Sequence, residues 1–299
     1  MKNISIFEGM RILLKILDFL VVSNLYVATG TFSLTWLSLQ FYDNSNLELP
    51  FFVFFSTLFA YNFMRLVRLQ PMLKEGDSIR HKSIFKYRVF LWVLCVVSGV
   101  CAFLFFLKVD DFVFYTLLFM GLISVAYSLP VYKKNGSWLC LRDVPSIKII
   151  LIAFVWAVVT SIFPMQVSGV PINWLKVLER FLFVFAITIP FDIRDLRFDA
   201  LNLYTIPQVF GIKNARYIGM LSLLFAEGIL FYEYFFLEVY PFYSALAIYL
   251  VYELSVLLVY KSHPYMPERY FTLGVEGASI LLGLLFYLSK ISCSAPYLL

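Results

Sequence analysis

The sequence predicts an all-α fold: a polytopic membrane protein with nine transmembrane helices bundled around a central cavity. Three observations carry that expectation. Hydrophobic residues fill 62% of the 299 positions and charged residues only 14%, with a mean hydropathy of +0.84, which excludes an ordinary soluble domain. Nine apolar segments are long enough to cross a bilayer, a task that takes about 20 helical residues. Lys and Arg gather in alternate loops, as they do in membrane proteins of fixed orientation.

In chain order the expected spans are 16–39, 50–68, 87–107, 112–129, 146–165, 174–190, 216–236, 241–260 and 270–290. Lys2, Arg11 and Lys15 precede the first without a small-residue cleavage pattern, so it reads as a retained helix and not a signal peptide. All but four of the 24 basic residues fall at the N-terminus and in the 2/3, 4/5, 6/7 and 8/9 loops with their flanks; the exceptions are Lys108, Lys176, Arg180 and Lys290. That bias places the N-terminus and the long polar loops in the cytoplasm and, with an odd number of spans, the C-terminus opposite. The net charge of +5 is then a topological signal, and no nucleic-acid partner is needed. Cys95, Cys101, Cys140 and Cys293 have neither zinc nor disulfide spacing, and His81 and His263 sit in separate loops.

The stretch most suited to chemistry is Phe191-Asp192-Ile-Arg194-Asp195-Leu-Arg197-Phe-Asp199, at the end of the sixth segment. On a helix, spacings of three and four place Asp192, Asp195 and Asp199 on one face. No position three or four residues from any of them carries Lys or Arg, and Arg194 and Arg197 belong to other faces. Such a cluster calls for an outside cation, and hard oxygen ligands suit Mg²⁺ shared with phosphate oxygens. The alternative is a solvated acidic turn with tertiary Arg partners.

An offset of 129 residues lays Asp192–Asp199 over Phe63–Gln70, so that Arg194 and Arg197 fall on Arg65 and Arg68. The whole chain then reads as one domain of two pseudo-repeated halves, 10–130 and 140–260, with a ninth helix at 270–290. Four helices per half return both copies to the same face, which disfavours an inverted-repeat transporter.

In these residues the chain resembles the UbiA superfamily of intramembrane prenyltransferases, a nine-helix family with aspartate-rich motifs after helices 2 and 6. Asp192, Asp195 and Asp199, followed by Tyr204-Thr-Ile-Pro207 and Gly211, are similar to the second motif, and Tyr127-Ser128 with Pro130, Arg142, Pro145 and Lys148 is similar to the family's Tyr-Ser and basic stretch. The first motif departs. Asn62 is present, but Phe63, Leu66 and Gln70 stand where aspartates are expected.

The resemblance implies a Mg²⁺-dependent transfer of an isoprenoid chain from a prenyl diphosphate to an aromatic or lipid acceptor, in a bacterial cytoplasmic (inner) membrane. Asp192, Asp195 and Asp199 would be the catalytic metal ligands, with Asn62, Arg65, Arg68, Tyr127, Arg142 and Lys148 around the diphosphate. Arg65 and Arg68 serve equally as topology signals, and Asn62 could instead bond backbone within its helix. Loss of the first motif admits a second possibility, a non-catalytic binder of lipid or isoprenoid, or an assembly partner. Glu227, Glu253 and Glu276 lie within apolar segments, Glu276 where the family often has an Asp-Gly pair; a structural contact is expected there. Arg180 is expected to pair with Glu179 near the outer interface.

Overall fold

The computed structural model describes residues 6–67, 85–108, 111–129, 132–134, 137–139, 147–197 and 204–294. Among the described residues ten helices run in the order α1 (Ile6–Val22), α2 (Leu25–Phe41), α3 (Glu48–Val67), α4 (Arg88–Phe106), α5 (Asp111–Ser128), α6 (Ile147–Val167), α7 (Trp174–Asp195), α8 (Ile206–Phe235), α9 (Phe242–Lys261) and α10 (Gly277–Ser294). A short antiparallel hairpin, Tyr132–Lys134 with Ser137–Leu139, interrupts the expected all-α pattern.

Every expected span falls on helix, the first on two helices, while the described residues do not by themselves fix the number of crossings. Among the described residues α3, α4, α6, α8, α9 and the segment Tyr270–Ser292 are long and apolar enough to cross, and α1 with α2 makes a seventh only if a pair bent by 75° is one span. Helix α7 carries Lys176, Glu179 and Arg180 at one end and Asp192, Arg194 and Asp195 at the other.

The expected first span, 16–39, is two helices. Asn24 adopts the left-handed conformation (φ 61°) that ends α1 and starts α2. The break is stabilised from α3: the Asn62 amide donates to Ser23 O (3.0 Å) and Leu58 O (2.9 Å), while its Oδ1 accepts from the Asn24 amide (2.9 Å).

Two more local devices shape the bundle. Gly211 lies inside α8 at φ 77°, ψ 160°, a conformation open essentially to glycine, and kinks the helix just over one turn after its start at Ile206-Pro207. Helices α2 and the last span approach so closely that a Cβ at Gly283 would lie 2.2 Å from Ser33 Oγ, the small-residue contact common between membrane helices.

The largest core cluster joins α2, α7, α8, α9 and the last span through Leu34, Phe183, Leu223, Tyr252 and Val275. Helix α4 buries only Leu91, Cys95 and Ser98, one stripe that faces α3, and exposes Val93, Val96, Val100 and Phe103. Side chains of that kind belong against acyl chains, so the chain is an integral membrane protein.

Candidate site at the acidic end of the seventh helix

A small cluster of Ile149, Ile189, Ile193, Ile206 and Ala215 packs the start of α6 against the end of α7 and the start of α8. One residue before Ile149, and one before Ile193, the same packing brings Lys148 to Asp192. Lys148 Nζ lies 2.8 Å from Asp192 Oδ1 and 3.6 Å from Asp195 Oδ2, so a single ammonium bridges two carboxylates one helical turn apart. The Asp192 side chain is 2% exposed and that of Lys148 20%.

This corrects the expectation of an uncompensated acidic face. The neutralising cation comes from another helix, 44 residues away in sequence, which helical spacing cannot reveal. Arg194 also departs from its expected direction: its Nε donates to Asp195 Oδ1 (2.8 Å) and its Nη1 to Glu268 Oε1 (3.0 Å). Adjacent residues do not face each other on a helix, but Arg194 lies in the last turn of α7, where a long side chain can fold back. Arg197 does turn away, over the ring of Tyr265 at 5.7 Å.

Glu268 is a member of this cluster that sequence reading missed, and Pro267-Glu268-Arg269 carried no signal beyond two charges in a loop. Glu276 lies close enough to act electrostatically on Arg194.

Asn62 is fully buried and both of its amide hydrogens are committed to Ser23 O and Leu58 O. The structure gives it the backbone-bonding role, not a free donor for phosphate. Arg65 Nη1 donates to Val22 O at 2.5 Å, at the last residue of α1. Leu66, and Phe63 in part, are packed with Leu91 and Cys95 of α4, so these two positions of the missing first motif are taken into the apolar core. Asp199, Arg68, Gln70 and Arg142 lie outside the described residues, as does the side chain of Tyr127.

A second polar cluster sits at the other end of α7. Here the expected Arg180–Glu179 pair is replaced. Glu179 accepts from Lys176 (2.8 Å) and from Tyr252 (2.9 Å), and Lys176 also pairs with Glu233 of α8. Arg180 instead donates to Leu34 O (3.2 Å), Thr160 Oγ1 (3.3 Å) and Ser38 Oγ (3.4 Å). Thr160 belongs to a π-helical stretch, Val158–Ile162, whose widened turn lets Thr160 O accept from Ser38. Burial beside Glu233 pushes the Tyr42 phenol up to about 12. Two acids and two bases balance here, which is how ionisable groups persist in such a setting. A groove of about 610 Å³ borders this end, lined by Tyr234, Glu238, Tyr240 and Phe242 among others, and holds none of the candidate residues.

The arrangement defines a helical membrane protein with a charged, partly buried site where α6 and α7 meet. Its fold is that of UbiA homologues. The apo UbiA homologue from Aeropyrum pernix K1 superposes with a TM-score of 0.67 at 10% identity, over 89% of this chain and 98% of that one. A UbiA homologue from Archaeoglobus fulgidus bound to GPP and Mg²⁺ gives 0.61 at 15% identity, over 91% and 98%. A UbiA homologue from Archaeoglobus fulgidus bound to DMAPP and Mg²⁺ gives 0.60 at 14%, over 91% and 98%. No family model and no curated protein sequence matches the chain.

Among the described residues no three acidic, His or Cys side chains converge as metal ligands. Asp192 and Asp195 do converge on one cation, Lys148. Two carboxylates fit Mg²⁺, which commonly takes one or two and fills its remaining positions with phosphate oxygens and water.

Proposed function

We propose that this chain is an integral membrane prenyltransferase of the UbiA type, which binds a prenyl diphosphate where α6 and α7 meet and transfers its isoprenoid chain to a hydrophobic acceptor. The observation that supports this most directly is the position of Lys148 Nζ, between Asp192 and Asp195 at 2.8 and 3.6 Å. A resident ammonium marks the point at which two carboxylates expect positive charge.

Charge balance explains why a divalent ion is also required. Asp192, Asp195 and Glu268 outnumber Lys148 and Arg194 by one, so the described groups alone would repel a diphosphate. Asp192 and Asp195 would hold Mg²⁺, which supplies charge neutralisation to the departing diphosphate. Lys148, on its flexible four-carbon stem, would then be released from the carboxylates to grip phosphate oxygens as a point charge. Arg194 keeps Asp195 oriented from the other side.

In the reaction the allylic C–O bond breaks, the bonding pair leaves with the diphosphate, and a new bond to the acceptor forms with loss of the acceptor's proton. Asp199, Arg68, Arg142 and Tyr127 remain proposed members of the site, with the polar loops on the cytoplasmic side. The acidic end of α7 then faces the cytoplasmic leaflet.

A second reading has its own observation. Leu66 and Phe63 pack against α4 where the first aspartate motif would stand, which favours a binder of isoprenoid or lipid that performs no transfer. One experiment separates the two. Purified protein is incubated with labelled prenyl diphosphates of several lengths, Mg²⁺ and a membrane lipid extract. Transfer abolished in both Asp192→Asn and Asp195→Asn supports the enzyme, whereas Mg²⁺-dependent binding without transfer supports the binder. Neither binding nor transfer removes both.

A further inference from the structure

Helix α1 is unlike the rest of the chain. It meets α2 at 75°, and Arg11, Lys15 and Asp18 form one exposed stripe along it while Leu13, Ile16, Leu17 and Leu20 form the opposite one. Leu13 is 55% exposed and Ile16 51%, with Leu17 and Leu20 half-buried, so the protein leaves the charged stripe open and covers the apolar one only in part. Water would suit the first and penalise the second. An amphipathic helix with one face open and the other partly so fits the plane of the membrane interface, where each stripe meets its own solvent.

Its attachments agree with that placement. On the apolar flank Phe19 contacts Phe90 of α4 at a ring separation of 5.5 Å, and Phe90 is itself part of the exposed apolar surface of α4. The uncovered face of α1 therefore continues the surface that α4 turns to lipid. On the charged flank Asp18 receives two bonds from Arg269, Nε to Oδ1 at 3.0 Å and Nη2 to Oδ2 at 2.7 Å. The neighbouring residue, Glu268, accepts from Arg194, which holds Asp195.

We propose that α1 lies in the headgroup layer on the membrane face that carries Asp192 and Asp195, with Arg11 and Lys15 on anionic lipid headgroups, and that Glu268-Arg269 straps it to the end of α7. The occupant of the apolar stripe is the bilayer itself, since the stripe runs into a lipid-facing surface and its charged edge offers two cations to acidic headgroups. A change in lipid charge would thereby reach Asp195 through Arg269, its neighbour Glu268, and Arg194. None of this depends on the transferase reading, because it concerns only where α1 lies.

The test places an environment-sensitive fluorescent amino acid by codon suppression at position 13 or position 15 of the full chain in nanodiscs. Quenching by spin-labelled lipid and by aqueous iodide is compared with and without phosphatidylglycerol. Position 13 should respond chiefly to the lipid quencher and position 15 chiefly to iodide. Adding phosphatidylglycerol should raise the lipid-to-iodide ratio at position 13 about twofold, and not in an Arg11→Gln, Lys15→Gln variant. Iodide quenching equal at both positions would put α1 in water and overturn the proposal. Protection of position 13 from both quenchers would mean that a protein surface covers it, with the same consequence. A ratio insensitive to phosphatidylglycerol in the wild type would refute the headgroup contact.

Discussion

Replacing Lys148 by Met is the perturbation on which the site's electrostatics can be read most clearly. The substitution keeps the length and apolar stem of the side chain and removes one ammonium. Asp192, with its side chain 2% exposed, loses a partner at 2.8 Å, and Asp195 loses one at 3.6 Å. Asp195 keeps Arg194, so most of the penalty falls on Asp192. Removing one member of a buried ion pair costs about 3–5 kcal/mol, and the partial exposure of Lys148 places this case at the low end, about 3 kcal/mol. At roughly 2 °C per kcal/mol for a large chain, the loss in thermal midpoint is about 6 °C. The assay is thermal unfolding in detergent, followed by helical dichroism, with and without Mg²⁺. Because Lys148 occupies the point where the carboxylates converge, Mg²⁺ should stabilise Lys148→Met more than wild type, in which it must displace the ammonium. A midpoint within about 1 °C of wild type, or a Mg²⁺ response no larger than the wild type's, would refute the reasoning.

Three further outcomes are expected. Asn62→Ala leaves the Asn24 amide and Ser23 O without a partner at the break between α1 and α2, and should cost about 2–5 kcal/mol in unfolding while leaving diphosphate affinity unchanged; a selective loss of affinity would return Asn62 to the site. Arg180→Met strands the balance of Lys176, Glu179 and Glu233 at the far end of α7 and should destabilise by about 3–5 kcal/mol, measured in the same melts. Gly211→Ala forces a side chain onto φ 77°, ψ 160° with no clash nearby, so its cost of about 1–3 kcal/mol is purely conformational, and an unchanged midpoint would contradict the kink.

Helix positions were legible from hydrophobicity because burial in a bilayer needs long apolar runs, and every expected segment falls on helix, the first of them on two. The break at Asn24 was not. It is made by Asn62, 38 residues later, and local pattern does not show which polar residue will meet which. Nor did composition show how α7 can carry charge at both ends, which its partners in α2, α6, α8 and α9 make tolerable. The acidic motif itself was visible as a spacing on one helix face. Its counter-ion was named only as a phosphate ligand, because Lys148 reaches Asp192 through the packing of Ile149 on Ile189 and Ile193. Arg180 and Glu179 show the converse error: neighbours in sequence with opposite charges were paired, while the fold offered each a better partner.

The central claim is that in the wild-type protein, where Lys148 occupies the point between them, Asp192 and Asp195 hold a divalent ion only together with a phosphorylated isoprenoid. Titrating Mn²⁺ in place of Mg²⁺ and following free Mn²⁺ by electron paramagnetic resonance, with and without geranyl diphosphate, tests it most directly. The account predicts that geranyl diphosphate draws Mn²⁺ onto the wild-type protein and fails to do so with Asp192→Asn, Asp195→Asn. Equal uptake by the two proteins, or none by either, would contradict it.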